Sequence, residues 1–264
     1  MKVATFNINS INARLDNLLK WLSLNRPDIM FLQEIKTEFN NFPFFEVQSA
    51  GYEVKVLGQK SYNGVAILSR HKLNLRQENL PDFVDEQARY IEAETFINAQ
   101  KYVLASLYLP NGNPPYNNQS DTSRFQYKLK FMDALIDHLE NLRQNEKNVI
   151  IGGDFNVILS SDDVYNPELF KGNALYVPEV QERMRYILRS GYTDTWRTLF
   201  GQDKGYTFWD YTGAAFLNDL GMRIDYMLNS PNMTDHLQTC YIDRDFRRQE
   251  KASDHTIFWS EYRD

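Results

Sequence analysis

The sequence predicts an α/β fold in which two β-sheets carry helices on their outer sides. Short apolar runs typical of buried strands recur along the whole chain, and segments with helical periodicity separate only some of them. A single doubly wound parallel sheet needs a helix between consecutive strands, whereas the strand-like segments between 52 and 109 follow one another directly. No Gly/Ser linker, coiled coil or tandem repeat divides the sequence, so we expect one domain over residues 1–264.

The first elements are predicted to be a strand, a helix and a second strand. Residues 3–8 form an apolar run typical of a buried strand, and the next segment has leucines at helical spacing. Ser10 is the expected N-cap of this helix, and Pro27 lies beyond its end. The apolar run at 29–32 predicts a buried strand that leads directly to Glu34.

The remainder of the chain continues with strands and two further helices. Strands are expected at 52–57, 64–69, 90–96 and 102–109. A long helix is predicted over 122–142, because one face carries Phe125, Leu129, Met132, Leu135, Ile136 and Leu139. A short buried strand at 149–151 leads to Asp154, and a helix over Pro178–Arg189 is followed by Gly191. The last strands are expected at 223–228, 238–242 and 256–260.

Composition and charge limit the class of protein. With 42% hydrophobic and 24% charged residues, the chain has the balance of a soluble globular protein. No run approaches the ~20 apolar residues that a membrane helix needs, so we expect no membrane partner. Cys240 is the only cysteine, which rules out an internal disulfide and fits a cytoplasmic location. The net charge of −6 argues against a generally basic surface, but it does not exclude DNA because local potential decides binding.

Five short polar motifs close or follow apolar runs from one end of the chain to the other. They are Thr5-Phe6-Asn7-Ile8-Asn9, Leu32-Gln33-Glu34, Gly152-Gly153-Asp154-Phe155-Asn156, Arg223-Ile224-Asp225-Tyr226 and Ser253-Asp254-His255. A polar side chain at the end of a buried strand is held rigidly at the edge of the sheet. Five converging ends of this kind would assemble carboxylates, amides and one imidazole into a metal-dependent hydrolytic site.

With these motifs in this order, the chain resembles an exonuclease III-type enzyme of the exonuclease–endonuclease–phosphatase superfamily over residues 3–259. Three further motifs carry the resemblance, namely Asn63-Gly64-Val65-Ala66-Ile67, Tyr108-Leu109-Pro110-Asn111-Gly112 and Tyr206-Thr207-Phe208-Trp209-Asp210-Tyr211. The resemblance implies a four-layer α/β sandwich, in which two mixed β-sheets pack face to face with helices on both outer sides. It also implies divalent-metal-dependent cleavage of phosphodiester bonds in DNA.

The metal prediction centres on Glu34. Its carboxylate is a hard oxygen ligand suited to Mg²⁺, which usually keeps several waters and takes one or two protein carboxylates. By resemblance, Glu34 is the main ligand, with Asp254 and Asn7 nearby. We expect Mg²⁺ as the cofactor and Mn²⁺ as its substitute.

Two pairs of residues are predicted to act on the phosphate. By resemblance, Asp154 orients or deprotonates the attacking water, and Asn156 donates to a phosphate oxygen. Asp225 and His255 form a second unit, because an aspartate that accepts from an imidazole raises its basicity and favours the cation. The resemblance makes His255 either a phosphate-binding cation or a base. The sequence leaves open whether Asp154 or His255 is the base.

The same resemblance assigns further residues to the substrate. The Tyr108 hydroxyl is expected to point at the scissile phosphate, and Arg89 and Asn111 are expected to contact the DNA backbone. Asn9 stands where relatives carry an aspartate and is expected at the substrate. Phe208, Met222 and Ile224 are expected to line an apolar pocket for a flipped sugar without a base, and Trp209 in the same stretch is expected to bind the substrate. Met222 replaces an aromatic residue of the relatives.

The predicted function is therefore that of a DNA-repair nuclease acting as a monomer on double-stranded DNA. It would degrade DNA from 3′ ends, clean damaged 3′ ends and incise 5′ to abasic sites. The balance between these activities stays open. One alternative is a superfamily phosphatase that acts on phosphoinositide or sphingolipid substrates. Another is a relative that binds DNA without cleaving it.

Overall fold

The computed structural model describes residues 1–116 and 121–263 and contains two six-stranded β-sheets. The strands of the described residues are β1 (Lys2–Asn7), β2 (Ile29–Gln33), β3 (Glu53–Leu57), β4 (Val65–Ser69), β5 (Asn74–Glu78), β6 (Tyr90–Ile97), β7 (Gln100–Tyr108), β8 (Val149–Asp154), β9 (Thr193–Asp194), β10 (Asp225–Asn229), β11 (Leu237–Asp243) and β12 (Ile257–Tyr262). The first sheet has the order β11-β12-β1-β2-β4-β3, and the second has the order β5-β6-β7-β8-β10-β9.

Both sheets are mixed in the same way. Each holds one parallel pair at its centre, β1 with β2 in the first sheet and β7 with β8 in the second. The other neighbouring strands in each sheet pair antiparallel. Parallel neighbours place their carboxyl ends at the same edge. Each sheet therefore presents two adjacent strand ends at one place.

Helices lie on the outer face of each sheet and beside the space between the sheets. They are α1 (Ile11–Asn25), α2 (Phe44–Ser49), α3 (Ser123–Asn145), α4 (Pro178–Arg189), α5 (Thr195–Phe200) and α6 (Pro231–His236). Apolar side chains of α1 and α2 pack on the first sheet, and those of α3 and α4 pack on the second. A third apolar cluster fills the space between the sheets. The predicted four-layer α/β sandwich is confirmed. None of the helices in the described ranges is long and apolar enough to cross a membrane.

The two glycines of β8 allow the two sheets to approach each other next to Asp154. A Cβ at Gly152 would lie 2.3 Å from Cδ2 of Phe31 in the opposite sheet. A Cβ at Gly153 would lie 1.9 Å from the carbonyl oxygen of Leu107 on the neighbouring strand. Real side chains do not tolerate such distances, so the Gly-Gly pair is a packing requirement. It also fixes the position of the strand end that carries Asp154.

The structure corrects one cap prediction and adds elements that the sequence did not predict. The Ser10 side chain does not cap α1, since Ser10 has φ 88 and makes no side-chain hydrogen bond to the helix. Instead, the backbone N–H groups of Ser10 and Ile11 donate to the carbonyls of Glu34 and Ile35. A neighbouring loop therefore replaces the local cap. The edge strand β5 was not predicted because its side chains are mostly exposed and lack an apolar run.

Candidate active site

The polar ends of the central strands meet at one edge of the sandwich. Asn7 ends β1 and Glu34 follows β2, whereas Tyr108 and Asp154 end the parallel pair of the other sheet. Asp225, at the start of β10, stands opposite Asp154 in the antiparallel ladder between β8 and β10. The two sheets thus deliver these side chains to a common site.

Asn7 joins a carboxylate from each sheet. Its Nδ2 donates to Glu34 Oε1 at 2.9 Å and to Asp154 Oδ2 at 2.9 Å. The second of these bonds is buried and spans 147 positions of the chain. Because the amide donates to one oxygen of each carboxylate, it orients both groups and reduces the repulsion between them.

Glu34 is held as an anion. Its Oε2 lies 2.9 Å from Lys36 Nζ, and its side chain is 18% exposed. Burial alone would raise the pKa of Glu34, but hydrogen bonds from Asn7 and Lys36 and the charge of Lys36 hold this pKa below its ordinary value. A partly exposed carboxylate that stays ionised is the kind of ligand that a hard divalent cation requires.

His255 lies between two aspartates. Its Nδ1 is 2.8 Å from Asp225 Oδ2, and its Nε2 is 3.7 Å from Asp154 Oδ2. Burial disfavours a charged imidazole, but the carboxylates of Asp225 and Asp154 outweigh burial and raise the pKa of His255. The pKa of Asp154 is also raised, chiefly by burial, while His255 works against that rise. The geometry makes His255 a cation beside a carboxyl group that is able to accept a proton near neutral pH.

The carboxylate oxygens of the site suit a divalent cation. One oxygen each of Glu34 and Asp154 and one ring nitrogen of His255 lie within 4.8 Å of one another, and no second group of this kind occurs within 1–116 and 121–263. A protonated His255 ring has no free lone pair, so the carboxylates rather than the imidazole would hold the ion. Asp254 is not part of this group, and its Oδ1 accepts from Asn9 Nδ2 at 3.0 Å. Asn7 presents its N–H donor to the carboxylates rather than an oxygen. Of the three predicted ligands, only Glu34 belongs to the cluster.

Asn9 and Lys36 form a polar rim next to this cluster. Lys36 Nζ donates to Asn9 Oδ1 at 2.6 Å while it also pairs with Glu34. Lys36 was not among the predicted site residues. Its position two residues after the Leu32-Gln33-Glu34 motif places a cation near a predicted ligand, and this is the sequence feature that indicates a role for it.

Tyr108 and Arg89 lie together at the edge of the second sheet. The carbon at the centre of the Arg89 guanidinium is 4.7 Å from the Tyr108 ring centroid, and Arg89 also donates to the Tyr108 carbonyl at 3.2 Å. Burial and the nearby charges of Glu34 and Asp154 raise the pKa of the Tyr108 hydroxyl far above its ordinary value. Tyr108 therefore keeps its proton and can donate it in a hydrogen bond.

Asn156 and Asn111 sit on the neighbouring loops. The backbone N–H of Asn156 donates to Asp154 Oδ1 at 2.9 Å, and its Nδ2 donates to the Leu109 carbonyl at 3.0 Å. Asn111 Nδ2 in turn donates to Asn156 Oδ1 at 3.3 Å. The turn after β8 and the loop after β7 are thereby tied together.

Three candidate residues adopt a backbone conformation that non-glycine residues rarely use. The φ angles of Asn9, Glu34 and Asn156 are 47°, 48° and 49°. Such left-handed conformations carry a free-energy cost and are concentrated at functional sites, where surrounding structure imposes them. Their occurrence at three strand ends supports a functional role for this edge.

A cavity of about 440 Å³ with a mixed polar and apolar lining borders the site. Phe208 and Met222 line it, and the Phe208 ring also packs edge-on against His255 with 5.0 Å between ring centroids. The other lining residues include Asn111, Asn113, Tyr165, Phe170, Asn173 and Leu175. The Phe208 side chain therefore lies between the cavity and His255.

Two predicted substrate-binding residues, Trp209 and Ile224, do not line this cavity. Trp209 is 1% exposed and packs against Tyr206 and Phe216, because adjacent residues in an extended segment point in opposite directions. Ile224 is 3% exposed and belongs to the apolar cluster beneath the cavity. The structure places these two side chains in the supporting core rather than at a substrate surface.

Comparisons with known proteins agree with this arrangement. The sequence profile described as "Endonuclease/Exonuclease/phosphatase family" matches residues 4–255. Exodeoxyribonuclease III from Haemophilus influenzae is 29% identical over 272 residues, with full coverage of both chains. The 3′ phosphatase NExo from Neisseria, solved with a product DNA hairpin, is 32% identical with a TM-score of 0.92 and full coverage of both. An AP endonuclease from Archaeoglobus fulgidus is 30% identical with a TM-score of 0.90, again with full coverage of both.

Proposed function

The chain belongs to the endonuclease/exonuclease/phosphatase family, and we infer from this that it is a hydrolase of DNA phosphodiester bonds in DNA repair. The observation that supports this function most directly is the cluster of Glu34, Asp154 and His255 at the edge of the sandwich. A phosphodiester is anionic, so its hydrolysis needs charge neutralisation, an activated water and stabilisation of the leaving oxygen. This cluster and its neighbours offer groups for all three.

The side chains divide the chemistry between them. Asp154 has the raised pKa and the buried position of a group that orients water and accepts its proton. His255, held by Asp225, faces the phosphate as a cation, and Tyr108 donates from its hydroxyl. The Asn156 amide uses one hydrogen on the Leu109 carbonyl, and its second hydrogen can reach a phosphate oxygen. We assign the role of base to Asp154 rather than to His255.

The family is divalent-metal dependent, and we propose Mg²⁺ as the cofactor, with Mn²⁺ as its substitute. Glu34 would anchor the ion, because its carboxylate is ionised and partly exposed. Asp254 would bind through water, since its oxygen is turned towards Asn9. When bound, the ion neutralises phosphate charge and stabilises the leaving oxygen. Asn7 keeps the carboxylates aligned for it.

We further propose that the substrates are abasic sites and 3′ ends in double-stranded DNA. The relatives described above include an exodeoxyribonuclease, a 3′ phosphatase and an AP endonuclease. The cavity beside His255 supports binding of an extruded sugar, and an abasic sugar is the one that is extruded at least cost because no base must be unpaired or unstacked. Asn111 lines this cavity, Asn9 contacts Lys36 and Asp254, and both would contact the DNA backbone.

The test is a labelled duplex with one internal abasic analogue, incubated with and without Mg²⁺. We expect incision 5′ to the analogue together with shortening from the 3′ end, both dependent on the metal. Internal incision and end resection give different product ladders, so one gel separates the two activities. Absence of both products in Mg²⁺ and in Mn²⁺ would refute the function.

The alternative functions are not favoured. The relatives compared above match the whole chain and act in DNA metabolism by name, which gives no support to a phosphoinositide or sphingolipid phosphatase. A DNA-binding protein without catalysis is not favoured either, because Glu34, Asp154 and His255 are present and converge. We also propose that residues 1–264 form one domain and that the protein is a monomer, since the site is assembled from one chain. We further propose a cytoplasmic location. Sedimentation of the protein with and without DNA tests the oligomeric state.

Arg89→Ala should weaken DNA binding to a similar extent across sequences. Arg89 offers a cation at the edge of the site, and phosphate contacts position DNA without reading its bases. Losing one such contact should reduce the slope of log affinity against log salt by about 0.9. Arg89→Lys is the matched control, because it keeps the charge and should keep most of that slope. A changed base preference with an unaltered slope would contradict the phosphate contact.

Met222 should tune the selectivity of the cavity. Its backbone pairs with that of Phe208, which brings both side chains to the same wall. Methionine is flexible and adapts to irregular shapes, so the cavity should accept a wider range of substrate shapes with Met222 than it would with an aromatic residue. We expect Met222→Trp to shift activity towards abasic incision relative to degradation of normal 3′ ends, and Met222→Ala to relax selectivity further.

The measurement for Met222 is the ratio of the two rates on one substrate that offers both targets. Thermal unfolding of each variant checks that the fold is intact. If both variants fold and leave the ratio unchanged, specificity is set elsewhere, for example in the 162–177 segment that forms the other wall of the cavity.

A further inference from the structure

Lys128 is a buried cation that lies behind the catalytic edge and that the proposed chemistry does not use. It belongs to α3 and has 0% relative exposure. Its Nζ donates to the carbonyl of Asn156 at 2.7 Å and to the carbonyl of Asn111 at 3.1 Å. These carbonyls belong to the turn after β8 and the loop after β7. One ammonium group therefore holds both segments that border the candidate phosphate site.

We propose that Lys128 is a positioning residue for the hydrolysis reaction, which clamps the Asn111 and Asn156 carbonyls and so aims their side-chain amides at the phosphate. This inference depends on the proposed function for its catalytic consequence, although the clamp itself is a property of the fold. Lys128 touches neither water nor phosphate in this role. It acts through the two loops.

The local geometry shows why these loops need an anchor. Asn156 has φ 49, a left-handed conformation that asparagine tolerates better than most non-glycine residues but that still restricts the turn to one backbone geometry. The Asn156 amide is further engaged by Leu109 and Asn111, so its direction depends on where its backbone is fixed. A hydrogen bond from a charged donor is stronger than one from a neutral donor and is suited to fixing such a turn.

The loop after β7 is shaped around the lysine stem. Gly112 has φ 82, and a Cβ at this position would lie 2.7 Å from Lys128 Cδ and 3.1 Å from Lys128 Cβ. The backbone of residue 112 therefore lies directly against the aliphatic part of the side chain. Contact with the aliphatic stem fixes the distance between the loop backbone and α3, and the hydrogen bond from Nζ fixes the Asn111 carbonyl.

Burial makes this arrangement costly for a residue with only a packing role. Burial lowers the pKa of Lys128 to about 7, although the charge of Asp154 opposes that shift. An apolar side chain of similar length would fill the same space without desolvating a charge. Protonated or neutral, the Lys128 amine donates to the two loop carbonyls, and an apolar residue would leave both carbonyls without this donor.

Lys128→Met tests the clamp, because methionine keeps the stem and removes every N–H donor. We expect kcat on the abasic duplex to fall at least tenfold, while KM and the Kd for DNA measured in Ca²⁺ change less than threefold. Lys128→Gln, which keeps a neutral donor, should give a kcat between those of Lys128→Met and the parent. The assay temperature is set well below the unfolding midpoint of each variant.

The control for a structural effect is Met132→Ala. Met132 is buried one helical turn along α3 in the apolar cluster that packs on the second sheet, and its thioether has no N–H to donate to the two carbonyls. This variant should lose thermal stability and keep kcat within threefold of the parent. A kcat for Lys128→Met and Lys128→Gln within threefold of the parent would overturn the proposal. So would a parallel fall of kcat in Met132→Ala, or a change confined to KM.

Hydrogen–deuterium exchange gives a readout that does not depend on nuclease activity. In Lys128→Met, deuterium uptake should rise in peptides that cover 109–113 and 154–157, and it should stay unchanged there in Met132→Ala. No rise in either segment would overturn the clamp. If the parent fails to cleave DNA, the proposed function is refuted, whereas the exchange experiment still decides whether Lys128 holds the loops.

Discussion

Glu34→Ala is expected to abolish most of the DNA cleavage while leaving the protein folded. Glu34 is the ionised, partly exposed carboxylate of the cluster and the anchor that we assign to the divalent ion. A bound metal supplies several kcal/mol of charge stabilisation in reactions of this kind, so loss of its anchor should lower kcat/KM by about a thousandfold or more. EDTA should have the same effect on the parent protein. The measurement is the initial rate of cleavage of an abasic duplex over a range of Mg²⁺ concentrations.

The matched control is Glu53→Ala, which removes a carboxylate from an outer strand of the same sheet. Glu53 pairs with Lys55 at the surface and takes no part in the site, so its loss should change the rate by less than twofold. Thermal unfolding of both variants should stay close to that of the parent. Cleavage that resists EDTA, or near-normal turnover by Glu34→Ala, would remove Glu34 from the mechanism.

Asp154→Asn and His255→Ala should each lower kcat by about 10²–10⁴-fold, the usual range for loss of a proton-transfer group. His255 Nε2 and Asp154 Oδ2 lie 3.7 Å apart, and we assign both buried side chains to the reacting phosphate rather than to the length of the duplex. Affinity for abasic DNA should therefore fall much less than turnover. Steady-state kinetics combined with a separate binding measurement in Ca²⁺ gives the two effects independently.

His236→Ala is the corresponding control for the imidazole. His236 is the last residue of the surface helix α6, and its Nδ1 contacts the Asn232 carbonyl. Its replacement should leave kcat unchanged. If Asp154→Asn and His255→Ala raise only KM and leave kcat at the parent value, both groups act in binding and the assigned chemistry is wrong.

A double variant shows whether Asp154 and His255 act as one catalytic unit or contribute independently to the rate. Asp154 and His255 lie 3.7 Å apart, and Asn7 holds the first while Asp225 holds the second, so the two losses should not multiply. The double replacement of Asp154 and His255 should cost little more than the worse single replacement. Losses that multiply fully would indicate separate contributions to the transition state.

The local sequence determined the elements and the identity of the candidate groups. Strands such as β2 and β8 are continuous apolar runs because both faces are buried, and α4 is marked by proline at its start and glycine after its end. These signals depend on neighbouring residues, so they can be read without the fold. The polar residues that follow such runs were found for the same reason. The predicted two-sheet sandwich followed from the order of these elements.

The tertiary structure decided which of these groups meet and what each one does. The Asn7–Asp154 hydrogen bond joins positions 147 residues apart, and no local pattern contains that distance. Packing places the Trp209 side chain in the core, and a neighbouring loop binds the N–H groups at the start of α1 in place of a Ser10 cap. Asp254 contacts Asn9 and lies outside the cluster. The function of Lys128 was equally invisible, because a lysine in an amphipathic helix is indistinguishable from a surface cation until its neighbours are known. Long-range contacts fix orientation, burial and charge environment, and these three properties convert a list of polar strand ends into a site.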